Sequence, residues 1–153
     1  MIELIILLFM LAIAIFGIVY GIKLVLKPFQ FEYETFFLSG NVNHNEITKI
    51  KRGKCKLIFT ENTFVIEQNN EKIEDNCPDI YNMRIWEYKG GVYLAINMKT
   101  HSEYMFSLME PNEDKSADFA KGLIYQLFKG ISKKIKVELV ECGESTESED
   151  DEE

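Results

Sequence analysis

The sequence predicts a mainly β (α+β) protein: an N-terminal transmembrane helix, then a curled antiparallel sheet or barrel of about six or seven strands, capped by one C-terminal helix. Three observations carry this. Nineteen residues from Leu4 to Ile22 hold no charge. Short runs between residues 29 and 108 alternate apolar and polar side chains, the period of half-buried strands. From Asn112 the period changes, and Phe119, Leu123, Leu127 and Ile131 recur at every fourth position.

The first element is "MIELIILLFMLAIAIFGIVYGIKLVLK", residues 1–27. As a helix its uncharged run is about 28 Å long, enough to cross the hydrocarbon core of a bilayer. A cleaved signal peptide would need a basic start and a shorter apolar run, whereas the only charge before this run is Glu3. A retained anchor is the expectation. Lys23 and Lys27 follow the run, so the positive-inside rule puts the N-terminus outside and the rest of the chain in the cytoplasm. Gly17 and Gly21 form a G-x-x-x-G pair that would let two such helices approach closely, as in a homo-oligomer.

Pro28 ends the helix, since proline cannot continue the hydrogen-bond ladder. Residues 28–140 then read as one domain. "FQFEYETFFL" (29–38) sets Phe29, Phe31 and Tyr33 on one face. "KCKLIF" (54–59) and "TFVIEQ" (63–68) form a hairpin around Glu61-Asn62. "DIYNMRIWEY" (79–88) places Tyr81, Met83 and Ile85 on one side, and Lys89-Gly90-Gly91 turns the chain. "VYLAINM" (92–98) and "EYMFSL" (103–108) make a second hairpin. The helix from Asn112 has acids at its start (Glu113, Asp114, Asp118), lysines near its end, and Gly130 to close it. "IKVELV" (135–140) is a last strand or the exit.

Residues 141–153, "ECGESTESEDDEE", hold eight acids and no base. The net charge is -8, and 25 minus 8 leaves 17 acids against 17 bases elsewhere. A segment with no large apolar residue and strong self-repulsion reads as a disordered tail. Ser145, Thr146 and Ser148 precede acids and are candidate phosphorylation sites, although a solubilising tail accounts for the same composition.

No catalytic motif is present, so no enzyme is expected. Cys55, Cys77 and Cys142 lack C-x-x-C spacing, and the two histidines, His44 and His101, fall in polar loops, so no metal site or cofactor is predicted. A neutral domain whose aromatics alternate as core residues excludes nucleic acid as the expected partner.

The layout resembles the pleckstrin-homology-like superfold, in its small bacterial form behind a transmembrane segment. The residues that carry the resemblance are "KCKLIFTENTFVIEQ", "DIYNMRIWEY", "GVYLAINMKTHSEYMFSL" and the helix from about Asn112 to Lys129, about three fifths of the chain. The resemblance implies a binding domain, with anionic headgroups met by basic residues around the first strands. Lys49, Lys51, Arg52, Lys54 and Lys56, in "KIKRGKCKLIF", are similarly placed. Alternation alone sends Lys54 and Lys56 to one face and Cys55, Leu57 and Phe59 to the other. Each cation near an anionic leaflet is worth about 1 kcal/mol, so five supply at most about 5. A solvated strand face accounts for the same lysines, as does an acidic protein partner. The expectation is a membrane-anchored, non-catalytic binding or adaptor module presenting its domain to a protein partner or anionic lipid. The alternative is a structural subunit of a membrane complex, assembled through its transmembrane helix.

Overall fold

The computed structural model describes residues 2–25, 28–42, 45–46, 49–112 and 114–143. Lys27, His44, Glu113 and the acidic residues 144–153, with Ser145, Thr146 and Ser148, lie outside the described residues. Helix α1 (Ile2–Val25) is followed by β1 (Gln30–Val42), β2 (Asn45–Glu46), β3 (Gly53–Thr60), β4 (Thr63–Gln68) and β5 (Glu71–Asn76). After a 3-10 turn at Cys77–Asp79 come β6 (Ile80–Tyr88), β7 (Gly91–Met98), β8 (Glu103–Met109), α2 (Ala117–Ile135) and β9 (Leu139–Cys142). Among the described residues the protein is therefore mainly β, with two helices.

The strands form one mixed sheet in the order β5-β4-β3-β1-β8-β7-β6-β9, and the short β2 pairs with the end of β1. Its nine strands among the described residues exceed the six or seven expected. Both expected hairpins form, β3 with β4 and β7 with β8. Asn69 and Asn70 both take positive φ, as a two-residue hairpin turn requires, and they fold β5 back onto β4. β9 runs parallel to β6, with Met83 opposite Leu139, and carries the sheet to Cys142, past the expected domain end at 140.

The sheet curls until its parts meet across a common core. Phe64 on β4 packs edge-on against Tyr104 on β8, with ring centroids 5.5 Å apart. The Tyr104 hydroxyl donates to the Asp75 carboxylate on β5. The 3-10 turn ties two hairpin turns together: Cys77 N–H donates to the Asn62 carbonyl (2.7 Å), and Lys99 N–H donates to the Asp79 carbonyl (2.8 Å). Leu57, Phe59, Ile66, Met83, Ile85, Leu94, Ile96 and Phe106 fill the interior. Strand alternation places them there, because every second side chain of a strand meets the same face.

Two face assignments differ from the sequence reading. A register shift between Ile80 and Asn82 turns Ile80 inward and leaves Tyr81 exposed, while Met83 and Ile85 stay buried. In α2 the expected stripe splits. Phe128, Ile131 and Ile135 enter the core, and Phe128 meets Phe31, Tyr33 and Phe59 edge-on. Phe119, Leu123 and Leu127 point to solvent, with Phe119 75% exposed. Lys121 holds this rotation from the inner face: its ammonium lies 3.3 Å from Glu87 on β6 and 3.5 Å from Asp118. Burial opposes the charge on Lys121, but Glu87 and then Asp118 outweigh it and hold its pKa above the usual value. The helix also runs through Gly130 to Ile135, and Lys136 closes it in the left-handed conformation at φ 57°.

The described side chains of α1 run from Met10 to Gly21, and those from Met10 to Tyr20 are exposed. Among the described residues, no helix is long and apolar enough to cross a membrane, so the fold gives the expected N-terminal transmembrane helix no support.

Candidate functional site

Three of the five predicted cations converge. Arg52, Lys54 and Lys56 line an open groove of about 800 Å³ over β1, β3, β4 and β8. Phe36, Leu38, Tyr93 and Met109 supply its apolar surface, and Glu110 and Pro111 form part of its wall. Lys49 and Lys51 are exposed outside it.

Local chemistry places the cations. Ile50, 1% exposed, plugs the core and fixes the loop that enters β3. Gln68 on β4 then staples that loop. Its carbonyl oxygen accepts from Lys51 N–H (2.9 Å), and its amide donates to the carbonyls of Lys51 (2.8 Å) and Lys54 (3.1 Å). Gly53 sits beneath this staple, where an added Cβ would come within 3.3 Å of the Gln68 amide nitrogen. On β3 the burial alternates, so Cys55, Leu57 and Phe59 are buried while Lys54 and Lys56 face the groove.

The groove is not a field of one sign. Glu34 on β1 and Glu67 on β4 are the cross-strand partners of Lys56, and Glu110 completes three carboxylates against three cations. Lys56 also pairs with Glu32 at 3.3 Å, both side chains being well exposed, which makes the contact worth little in stability. The sequence reading missed these acids because they come from other strands. The signal was present in the alternation of "FEYETF" and "VIEQ", which puts Glu34 and Glu67 on outward faces. Mixed charge over an apolar floor suits a peptide segment better than a bare polyanion.

The other candidates occupy ordinary places. Trp86 stacks on Tyr93 with centroids 5.9 Å apart, and Lys89 lies 5.1 Å from the Tyr88 ring. His101 is exposed in the β7–β8 turn at φ 63°. Burial pushes the Cys55 and Cys77 thiols up to about 11, and no disulfide links the cysteines. Gly17 and Gly21 form a bare notch on α1, with nothing within 4 Å of an added Cβ. Among the described residues, no cluster of His, Cys, Asp and Glu is arranged to hold a metal ion. The chain matches no protein-family model and no characterised protein.

Proposed function

We propose that the chain is a membrane-anchored, non-catalytic binding module: residues 1–27 hold it in the bilayer, and the β domain offers the Arg52–Lys54–Lys56 groove to a peptide segment of a protein partner on the cytoplasmic side. The observation that carries this reading is the exposure of α1. Consecutive side chains from Met10 to Tyr20 are uncovered, so every face of that stretch of the helix is bare, and Phe16 is 74% exposed. An apolar helix left bare on all sides is matched by lipid and not by water. In the sequence its apolar run continues in both directions, from Leu4 to Ile22. A curled sheet with a single C-terminal helix packed on it supports the pleckstrin-homology-like reading of the domain. Lys23 and Lys27, which follow the apolar run in the sequence, support this sidedness.

The test places a photo-crosslinking residue at Lys54 in the full chain in cells, with Glu71 on β5 as the control position. Retention in alkali-washed membranes, with a cross-linked protein band at Lys54 that Arg52→Glu abolishes, is the expected result. Release of the chain by alkaline carbonate overturns the anchor, and identical products at both positions overturn the groove.

The bare glycine notch favours the second reading, a subunit assembled through α1. In that case Gly17→Ile with Gly21→Ile would abolish assembly while crosslinking at Lys54 stayed unchanged.

A further inference from the structure

The outer face of α2 is apolar and uncovered. Phe119, Leu123 and Leu127 stand on successive turns, 75%, 55% and 36% exposed. The core does not use them, since the opposite face carries Phe128, Ile131 and Ile135. Lysines gather at one end: Lys129, Lys133 and Lys134 are exposed and make no ion pair among the described residues. The acid beside Phe119, Asp118, is 70% exposed but is paired with Lys121 at 3.5 Å.

We propose that this face lies on an anionic bilayer surface, with Phe119, Leu123 and Leu127 in the interfacial layer and Lys129, Lys133 and Lys134 on lipid headgroups. Two observations select this occupant. The first is charge: an apolar stripe with a cationic end is the pattern of an interfacial helix, and its cations complement anionic headgroups. The second is reach. Phe31 and Tyr33 touch Phe128 at 6.5 and 5.5 Å between centroids, so the middle of α2 packs on the first residues of β1. Phe31 comes only six positions after Val25, at most about 20 Å of extended chain. The anchor that ends α1 therefore holds α2 within reach of the surface it crosses, and tethering raises the effective concentration of the stripe there. The proposal rests on the membrane-anchor reading and adds to it a second, peripheral contact that fixes the domain's orientation.

The test uses the full chain in phosphatidylcholine vesicles with and without phosphatidylserine. An environment-sensitive fluorophore is attached at Leu123→Cys, or at Glu71→Cys as control, in a Cys142→Ser background. With phosphatidylserine, the Leu123 reporter is expected to shift to the blue and to be quenched by nitroxide lipid, and the Glu71 reporter to stay wet. Each lysine is worth about fivefold in partition, so Lys129→Glu, Lys133→Glu and Lys134→Glu together should lower the docked fraction constant by at least about a hundredfold. A wet Leu123 reporter on a chain that survives alkaline washing overturns α2 docking and leaves the anchor standing. A chain that washes off overturns both. Disulfide-linked pairs of the unlabelled Leu123→Cys chain under an added oxidant, with a dry reporter on the labelled chain whether or not phosphatidylserine is present, assign the face to a second copy and also overturn the proposal.

Discussion

The hydroxyl of Tyr104 on β8 donates a hydrogen bond to the carboxylate of Asp75 on β5. Three strands, β4, β3 and β1, separate these two in the sheet. The contact is therefore made across the curl and not along the ladder. It turns a long open sheet into a closed shape, and it satisfies the only polar atom of a ring that is 1% exposed.

Tyr104→Phe keeps the ring against Phe64 and removes only the donor. Asp75 is half-buried and retains access to water. The expected cost is about 1.5–3 kcal/mol, the range of a hydrogen bond to a charged acceptor. Asp75→Asn keeps an acceptor and should cost less. Urea denaturation of the three proteins measures the order, and a Tyr104→Phe protein as stable as the parent would show that the bond contributes nothing.

The domain should lose stability in alkali. Burial pushes Cys55 and Cys77 up to about 11 from 9.0, and burial with smaller contributions from Glu87, Glu141 and Cys142 pushes Tyr125 up to about 12 from 10.0. Tyr104 is raised by burial, then by the Asp75 hydrogen bond and charge, and Tyr33 by burial. All these groups lose protons more easily when unfolded. Above pH about 9 the unfolded state therefore binds fewer protons, and stability falls as pH rises. Below that pH their contribution is fully present; it is lost as pH climbs through the folded values near 11 and 12. Denaturation midpoints should hold steady up to about pH 9 and then decline. Cys77→Ala should shallow the decline whatever it does at neutral pH, and an unchanged slope would remove Cys77 from the account.

Much of the fold could be read from alternation, because a half-buried strand writes its burial into every second residue. The β3–β4 and β7–β8 hairpins are of that kind. β5 escaped for the opposite reason: "EKIEDN" has a single apolar residue, Ile73, and reads as a loop. It is an edge strand, where charge discourages pairing with another chain, and its signal lay in the Asn69-Asn70 turn. In α2, apolar residues cover more than one face, so periodicity alone could not say which is buried. Lys121 decides it through Glu87, a partner 34 positions away in sequence. The groove was half visible: alternation found Lys54 and Lys56, but only register brings Glu34 and Glu67 beside them.

The three thiols should divide two to one. Cys55 and Cys77 are buried with raised pKa values, and Cys77 Sγ lies 3.6 Å from the Thr60 carbonyl, to which it donates. Cys142 sits half-buried at the end of β9, opposite Trp86. A thiolate is the reactive form, so a disulfide reagent near pH 8 should titrate Cys142 alone in the folded protein and all three after denaturation. Cys142→Ser should then leave no fast thiol. Fast reaction of a second thiol in the native state would mean that β3 or the 3-10 turn opens readily.

Two glycines should respond to alanine with opposite signs. Gly90 has φ 76°, and an added Cβ there would lie 2.5 Å from the Asn112 carbonyl oxygen and 2.7 Å from its carbon. Asn112 N–H also donates to the Gly90 carbonyl at 3.1 Å, so the two backbones are clamped together. Gly90→Ala should cost about 2 kcal/mol or more, from left-handed strain and from displacement of Asn112. Gly122 is exposed on α2 with nothing within 4 Å of an added Cβ. Gly122→Ala should stabilise by about 0.5–1 kcal/mol through helix propensity. The functional consequence is confined to the first. Asn112 directly follows Glu110 and Pro111, which form part of the groove wall, so pushing it away moves the groove. Crosslinking from Lys54 should weaken in Gly90→Ala and persist in Gly122→Ala, and an unchanged yield in Gly90→Ala would separate that wall from partner binding.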